Sequence, residues 1–366
     1  MNGTRTSQPT LEDISHHARV SKATVSRVFC NKANVSEKTR TRVLEAAREL
    51  GYGVPKNLIA LILPDASNPF FAQLGFMFEQ VLEAEGYHLL TSSSEGRVNR
   101  ELELIEHFKN LSVKGVIYIS SGGHSSAIPS LVADGTIPVV VFDRKISAGN
   151  LDFVAVDSRH GTLCAVDYLV AFGHRRIAYL KGLEGTDTAQ QRFDSFCEAM
   201  TKNGLAVVDD WVFSGDYTLS AGRSCAERLI ALARTLLKSE RPTAIMAAND
   251  MMAVGLMQRL QQEGWRLPAD LSVIGFDNIL WSEWVYPALT TIAQPIHQLV
   301  KVAIKLLTAR IKENHDLAPA AGAFCRAQPR REVLEPVLIP RASVVEPCDQ
   351  PGMQRVVAAS DGSVVN

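Results

Sequence analysis

From Leu58 onward the chain repeats one pattern: a short aliphatic run that reads as a strand, then an amphipathic stretch that reads as a helix. The runs are LIALIL (58–63), GVIYI (115–119), PVVVF (138–142) and FVAV (153–156), then a second series, RIAYL (176–180), TAIMAA (243–248) and LSVIGF (271–276). Helices are expected near 159–172, 190–203, 219–237 and 251–263. A strand buried on both faces loses the polar alternation of a half-exposed one, and an intervening helix returns the chain to the same sheet edge. Parallel sheets with helices on both faces follow. Two series imply two lobes, and ligands of such sheets sit at the carboxyl ends of the strands. A cleft between the lobes is therefore the expected binding site.

Residues 1–57 follow another rule. Thr10 precedes a helical period at Leu11, Ile14 and Ala18; Ser21 caps a second helix with Val25, Val28 and Phe29 on one face; Ser36 caps a third, which buries Val43, Leu44, Ala47 and Leu50 and ends at a left-handed Gly51. Burying that face of the second helix turns Ala23, Ser26, Arg27 and Cys30 outward, with Lys22 and Thr24 on its flanks. Such a face suits the major groove, where Arg forks to guanine and Ser or Thr holds phosphates. A solvated helix in a bundle is the bland alternative. Charge separates the two, because this segment carries ten Lys and Arg against five Asp and Glu, while the remainder carries 28 against 34. A small module seeking a polyanion, joined to a body that does not, fits that asymmetry.

Polar residues stand where the strands of the body end. Asp143 and Arg144 follow PVVVF, Asn249 and Asp250 follow TAIMAA, and Asp277 follows LSVIGF. Arg192, Tyr217 and Gln294 lie in or beside intervening loops, while Asn68, Phe70 and Phe71 follow the first strand. Carboxylates and amides accept from hydroxyls, Arg donates in a planar fork, and aromatic rings pack on the C–H faces of a pyranose. The set describes a polyol site. Taken singly, each Asp or Asn also reads as a helix cap, and Phe70 and Phe71 as core.

Catalytic motifs do not emerge. The chain has no GxSxG elbow, no GxxxxGK[ST] loop and no HExxH. The double glycine of SSGGHSS (120–126) reads as a turn, and His174 in FGHRR follows a helix-ending Gly173. The cysteines, at 30, 164, 197, 225, 325 and 348, show no ligand spacing, so neither zinc nor a disulfide framework is expected. No catalytic residue, metal or cofactor is assigned. The amino-terminal MNGTRTSQPTLEDISHH has no apolar stretch of signal length and no window suits a membrane span, so a cytoplasmic protein is expected.

The stretch TLEDISHHARVSKATVSRVFCNKANVSEKTRTRVLEAARELGY resembles the DNA-binding headpiece of the LacI/GalR family of bacterial repressors, most closely in VSKATVSRV, NVSEKTR and LGY. The resemblance implies that Lys22, Ala23 and Arg27 read bases and that Ser21, Thr24 and Ser26 contact phosphates, within a DNA-binding set that also includes Thr10 and Asn31. Arg19 departs from the pattern, whose turn usually carries Gly. DASNPFFAQL, VFDRK, FGHRRIAYLKG, ANDMMAVG, SVIGFDN and PALTTIAQP likewise resemble, in order, the periplasmic-binding-like effector domain of that family. The likeness extends to ribose-binding proteins and implies a monosaccharide held by Asn68, Phe70, Phe71, Asp143, Arg144, Arg192, Tyr217, Asn249, Asp277 and Gln294. A purine or nucleoside is the alternative effector, although Thr186 stands where the purine-sensing branch uses Arg.

The expected organisation is a helix-turn-helix headpiece and linker (1–57), an effector and dimerisation body (58–345) and a disordered tail (346–366). The body divides into an N-lobe (58–158 and 292–322) and a C-lobe (159–291 and 323–345), with one last strand near VLEPVLIPR. The expected function is a homodimeric repressor of carbohydrate genes that binds a pseudo-palindromic double-stranded operator under control of a sugar, without membrane contact. The joint departs from the family: only GVPKN separates LGY from the first strand, where the family carries a Pro-Asn pair and a hinge segment of the kind LARSLRTGRT. Five residues span at most roughly 18 Å, and Gly53 and Pro55 oppose a helix. No hinge helix or leucine wedge is expected, and a sensor with impaired DNA binding stays open as a further alternative.

Overall fold

The computed structural model describes residues 9–30, 35–50, 52, 57–122, 137–146, 151–317 and 328–347. Three helices come first: α1 (Leu11–His17), α2 (Lys22–Phe29) and α3 (Glu37–Glu49). Each is started by a hydroxyl side chain. Thr10 accepts from the Asp13 amide while the Asp13 carboxylate accepts from the Thr10 amide at 2.6 Å, and Ser21 and Ser36 accept from the Thr24 and Thr39 amides. These bonds satisfy amides that a helix start leaves without partners. Ile14, Ala18, Val25, Val28, Val43, Ala46 and Ala47 form the core.

Two expected core members lie elsewhere. Phe29 is 42% and Leu44 47% exposed. Three short helices close on a narrow interior that the small Ala46 fills better than Leu44, and Phe29 leans its ring on Tyr52 at 5.2 Å. Gly51, Asn31 and the linker residues 53–56 lie outside the described residues, so the expectations for them are not addressed.

Arg19 is left-handed, with φ of 52°. A Cβ in this region costs about 1 kcal/mol relative to glycine. Arg19→Gly is expected to raise headpiece stability by about that amount, read as a higher melting temperature of an isolated 1–57 peptide; an unchanged or lower value refutes the strain.

The chain divides into two compact units, 1–156 with 295–334 and 157–294 with 335–366. Unit 1 holds strands β1 (Leu58–Leu63), β2 (His88–Ser93), β3 (Gly115–Tyr118), β4 (Val139–Phe142), β5 (Asp152–Val156) and β11 (Arg331–Leu334). Their order is β11-β5-β4-β3-β1-β2, and neighbouring strands all pair in parallel. Its described helices include α4 (Pro69–Ala84), α5 (Val98–Asn110) and the long α11 (Ile296–Leu317). β1, β3 and β4 are buried at every residue.

Unit 2 repeats the plan with β6 (Ile177–Leu183), β7 (Val212–Gly215), β8 (Ala244–Ala247), β9 (Ser272–Asp277), β10 (Thr290–Ala293) and β12 (Val337–Ile339), ordered β12-β10-β9-β8-β6-β7. All pairings are parallel except β12 on β10. Around it lie α6 (Ser158–Ala171), α7 (Asp187–Lys202), α8 (Leu219–Thr235) and α9 (Asp250–Gln262). Helices α8 and α9 meet backbone to backbone. A Cβ on Gly222 would stand 2.1 Å from the Met252 carbonyl oxygen, and one on Gly255 2.1 Å from that of Leu219.

The last segment corrects the expectation of a single final strand. VLEPVLIPR contributes to two short strands on either side of Pro336, β11 in unit 1 and β12 in unit 2. The passage into unit 2 therefore falls after Leu334, not near 323, because β11 pairs with β5 from Arg331↔Phe153 to Leu334↔Val156. Residues 318–327, most of SSGGHSS and the residues beyond Pro347 lie outside the described residues.

Candidate functional site

On the headpiece, α2 presents Lys22, Ala23, Ser26 and Arg27 to solvent, with Ser21 exposed and Thr24 half-buried at its start. Ser21 and Thr24 share a hydroxyl hydrogen bond of 2.8 Å, and Thr10 is exposed at the start of α1. Lys22 meets Glu12 at 3.4 Å, but both side chains are mostly solvated. Such a pair is worth little and yields readily to a phosphate. Arg27 makes no ion pair among the described residues. Its guanidinium is thus available to fork to guanine O6 and N7, and Arg27→Ala is expected to weaken operator binding by about 1 to 3 kcal/mol. A titration at fixed salt that finds unchanged affinity removes Arg27 from the readout.

In unit 1 the candidate residues gather at the carboxyl ends of the strands. Asn68 caps α4, its Oδ1 accepting from the Phe70 amide at 3.0 Å, and Pro69 follows in the first turn. Phe70 and Phe71 are buried edge to face, with centroids 5.3 Å apart. Arg144 lies 5.6 Å over the Phe71 ring and donates through Nη1 to the Ser120 carbonyl at 2.8 Å. Asp143, at φ 64°, sits 3.9 Å from the Arg144 guanidinium. Asn68 is thus a helix cap, and the two phenylalanines are buried, as the plainer readings of these residues expect.

Sequence reasoning missed the supporting residues here. Ser94 and Ser121 share a 2.6 Å hydroxyl bond, and the fully buried Glu101 accepts from Tyr118 Oη at 2.6 Å and from the Ser121 amide at 2.7 Å. Serines at strand ends carry no distinctive spacing, and Glu101 reads as an ordinary helix-surface acid.

In unit 2 the five candidates join in one polar cluster. Arg192 on α7 lays its guanidinium 3.7 Å over Phe276, donates through Nη1 to the Ala248 carbonyl at 2.5 Å and stands 3.7 Å from Asp277 Oδ1. Gln294 Nε2 donates to Asp277 at 2.8 Å. Asn249 caps α9 through Oδ1 and donates through Nδ2 to the Tyr217 carbonyl at 3.1 Å, while Tyr217 Oη meets Thr188 at 3.2 Å. Arg192, Asn249, Asp277 and Gln294 are all buried. A charge held this far from water needs fixed partners, and the aromatic face with alternating donors and acceptors supplies them. The cluster can exchange hydrogen bonds with hydroxyls or ring nitrogens. It contains no activated nucleophile.

Thr186, the residue set against a purine, caps α7 and donates to the Leu183 carbonyl at 2.7 Å. His174 belongs to a different region of unit 2. It lines a cavity of about 420 Å³ with Trp265, Arg266 and Pro268, and its Nδ1 lies 2.9 Å from Thr243 Oγ1. Burial pushes its imidazole down to about 4. Among the described residues no His, Cys, Asp and Glu group could hold a metal ion, and no helix is long and apolar enough to cross a membrane.

Comparison with known proteins agrees with both parts. Residues 10–54 match the model for bacterial regulatory proteins of the lacI family, and residues 166–344 match a periplasmic binding protein-like domain. Catabolite control protein A of Priestia megaterium is 33% identical over 82% of this chain and 91% of its own. The HTH-type transcriptional repressor PurR of Vibrio cholerae serotype O1 (strain M66-2) is 33% identical over 83% and 92%. Among solved structures, a complex of the transcriptional regulator CelR with cellobiose superposes with a TM-score of 0.68 at 26% identity, covering 92% of this chain and all of that one. The chain belongs to the LacI family of DNA-binding transcriptional regulators and is not an enzyme.

Proposed function

We propose that this regulator is a cytoplasmic, homodimeric repressor of carbohydrate-utilisation genes whose hold on a pseudo-palindromic operator is set by a small sugar. The observation that carries the reading is the buried set of Arg192, Asp277 and Gln294 beside Phe276, with Asn249 and Tyr217 adjoining it. Phe70, Phe71, Asp143 and Arg144 supply matching chemistry in unit 1. Aromatic faces next to fixed donors and acceptors suit a ring that is apolar on its faces and polar at its rim. The cellobiose complex of a related regulator supports a sugar. A segment of unit 2 exposes Leu280, Trp281, Trp284 and Tyr286, with Trp284 at 71% and Tyr286 at 86%, and suits self-association.

The PurR relatives favour a purine as the second reading. Against it, Thr186 offers a small hydroxyl already committed to the backbone. A thermal-shift screen of monosaccharides, disaccharides, purines and nucleosides separates the two, because a ligand at 100 times its dissociation constant stabilises by about 2.7 kcal/mol. A sugar hit that disappears in Asp277→Ala, with the cooperative melt preserved, is the expected result. A nucleobase hit transfers the reading to a purine, and a sugar shift that survives Asp277→Ala removes Asp277 from the site. If a ligand binds but purified chain retains no genomic site in a footprint, the sensor without DNA control is the better description.

A further inference from the structure

Asp250, the first residue of α9, stands outside the ligand set, yet solvent does not reach it. Its Oδ1 accepts from Thr291 Oγ1 at 2.5 Å, and its Oδ2 from Ser282 Oγ at 2.7 Å and the Ile279 amide at 3.0 Å. The Asn278 amide also bonds to it. The donors come from β10, from the short helix α10 (Trp281–Trp284) and from the loop that joins α10 to β9. Gly275 in β9 makes room for the carboxylate, since a Cβ there would stand 2.1 Å from Oδ1. An uncharged isostere leaves several of these donors unmatched, because an amide offers one acceptor oxygen and turns an N–H₂ toward other donors.

The loop that Asp250 grips is strained. Asp277 has φ of 119° and Asn278 of 59°, two successive non-glycine residues in the left-handed half of backbone space. Such a pair persists only where the surroundings over-determine it, and the bonds to Asn278 and Ile279 do so. Arg341 adds a bond to Asn278 Oδ1 at 2.7 Å and meets Glu283 at 3.0 Å. One end of this segment is Asp277, which Arg192 and Gln294 hold. The other end is α10, where Ser282 is fully buried on Asp250 while Trp281 and Trp284 face outward.

We infer that Asp250 is the positioning residue that joins Asp277 to the exposed 280–286 face, so that a change at Asp277 moves that face instead of being absorbed in a slack loop. The inference rests on the reading of Asp277 as a ligand contact, but it can be tested without a ligand. The four tryptophans, at 211, 265, 281 and 284, all lie in unit 2, which gives two reporters on the face and two away from it. The full chain is labelled with 5-fluorotryptophan, and its fluorine NMR resonances are assigned by single Trp→Phe substitutions. Asp277→Asn is expected to shift the Trp281 and Trp284 resonances and to leave those of Trp211 and Trp265 in place. In an Asp250→Asn background, the same change at Asp277 is expected to produce no further shift.

A role confined to global stability lowers the melting temperature but produces neither the selectivity nor the loss of additivity. The inference is overturned if Asp277→Asn leaves Trp281 and Trp284 unmoved, or shifts them equally with and without Asp250. If Asp250→Asn does not fold, Ser282→Ala takes its place, since it severs only the tie to α10, and the same two outcomes decide. Failure of the ligand reading shows separately, as a thermal shift that survives Asp277→Ala.

Discussion

A Gly255→Val chain is expected to lose the folded state of unit 2, by about 3 kcal/mol or more. Helices α8 and α9 approach so closely that each glycine faces a carbonyl oxygen of the other helix at a distance that excludes a Cβ: Leu219 for Gly255 and Met252 for Gly222. A side-chain neighbour could rotate away, but a helical carbonyl is fixed by its own hydrogen bonds. The helices must part, and with them the cap at Asn249 and the Tyr217 backbone bonded to it. Gly222→Ala and Gly255→Ala are expected to cost less in combination than the sum of their single effects, because the first substitution opens the gap that the second occupies. Tryptophan emission during urea unfolding measures this directly, since every tryptophan lies in unit 2. A Gly255→Val protein with the unaltered midpoint contradicts the packing.

Acidification from about pH 6 to about 4.5 is expected to move two variants in opposite directions while the unaltered unit 2 stays nearly level. Burial raises Asp250 from 3.8 to about 6, against the opposing hydrogen bonds from Thr291, Ser282, Ile279 and Asn278. In this window the folded chain keeps a proton there that the unfolded chain has lost, so this group adds stability as pH falls. Burial lowers His174 from 6.5 to about 4, with the Val345 carbonyl opposing. The unfolded chain takes up that proton first, so this group removes stability as pH falls. Each effect amounts to about 1.5 kcal/mol across the window. His174→Asn is therefore expected to gain stability on acidification and Asp250→Asn to lose it, both by tryptophan-monitored urea unfolding at the two pH values. Parallel profiles for the two variants would show that these groups do not govern the acid response.

The alternation of strand and helix was legible because most interior strands are largely aliphatic. LIALIL, buried at every residue, cannot be mistaken for a surface segment. Three strands went unnoticed: HLLTSS at β2 and VFSG at β7, at the outer edges of their sheets, and TTIA at β10, an interior strand whose buried Thr290 and Thr291 break the aliphatic run. An edge strand needs less apolar surface, and HLLTSS has no fully buried residue. Headpiece boundaries were legible from Thr10, Ser21 and Ser36, since a capping hydroxyl is a local device. The placement of Phe29 and Leu44 was not, because helical period alone cannot measure the width of a core.

The candidate site shows the same division. Asn249 and Asp277 could be named from their positions at strand ends, and Arg192, Tyr217 and Gln294 from the loops and the family resemblance. The five converge, although Arg192 stands on helix α7 and not in a loop. What holds them could not be named. The acceptors of Asp250 and Glu101 find their donors on elements far along the chain, and Gly222 and Gly255 look like ordinary weak points in two helices until the carbonyls opposite them are known.

The division of VLEPVLIPR between two sheets bears on the order in which the chain is made. Strand β5 has β4 on one side and awaits β11 on the other, yet β11 begins at Arg331, after nearly all of unit 2 has been synthesised. At the start of β5, Asp152 binds Arg310 of α11 through both oxygens, at 2.8 and 2.7 Å, and accepts the Arg330 amide at 2.8 Å. Both partners leave the ribosome late. Until then a parallel edge of DFVAV stands open, the kind of surface on which chains pair with one another. Unit 2 can close its interior strands while unit 1 still lacks an edge, so a nascent regulator completes the sheet nearest its DNA reader in sequence only as its final strands emerge.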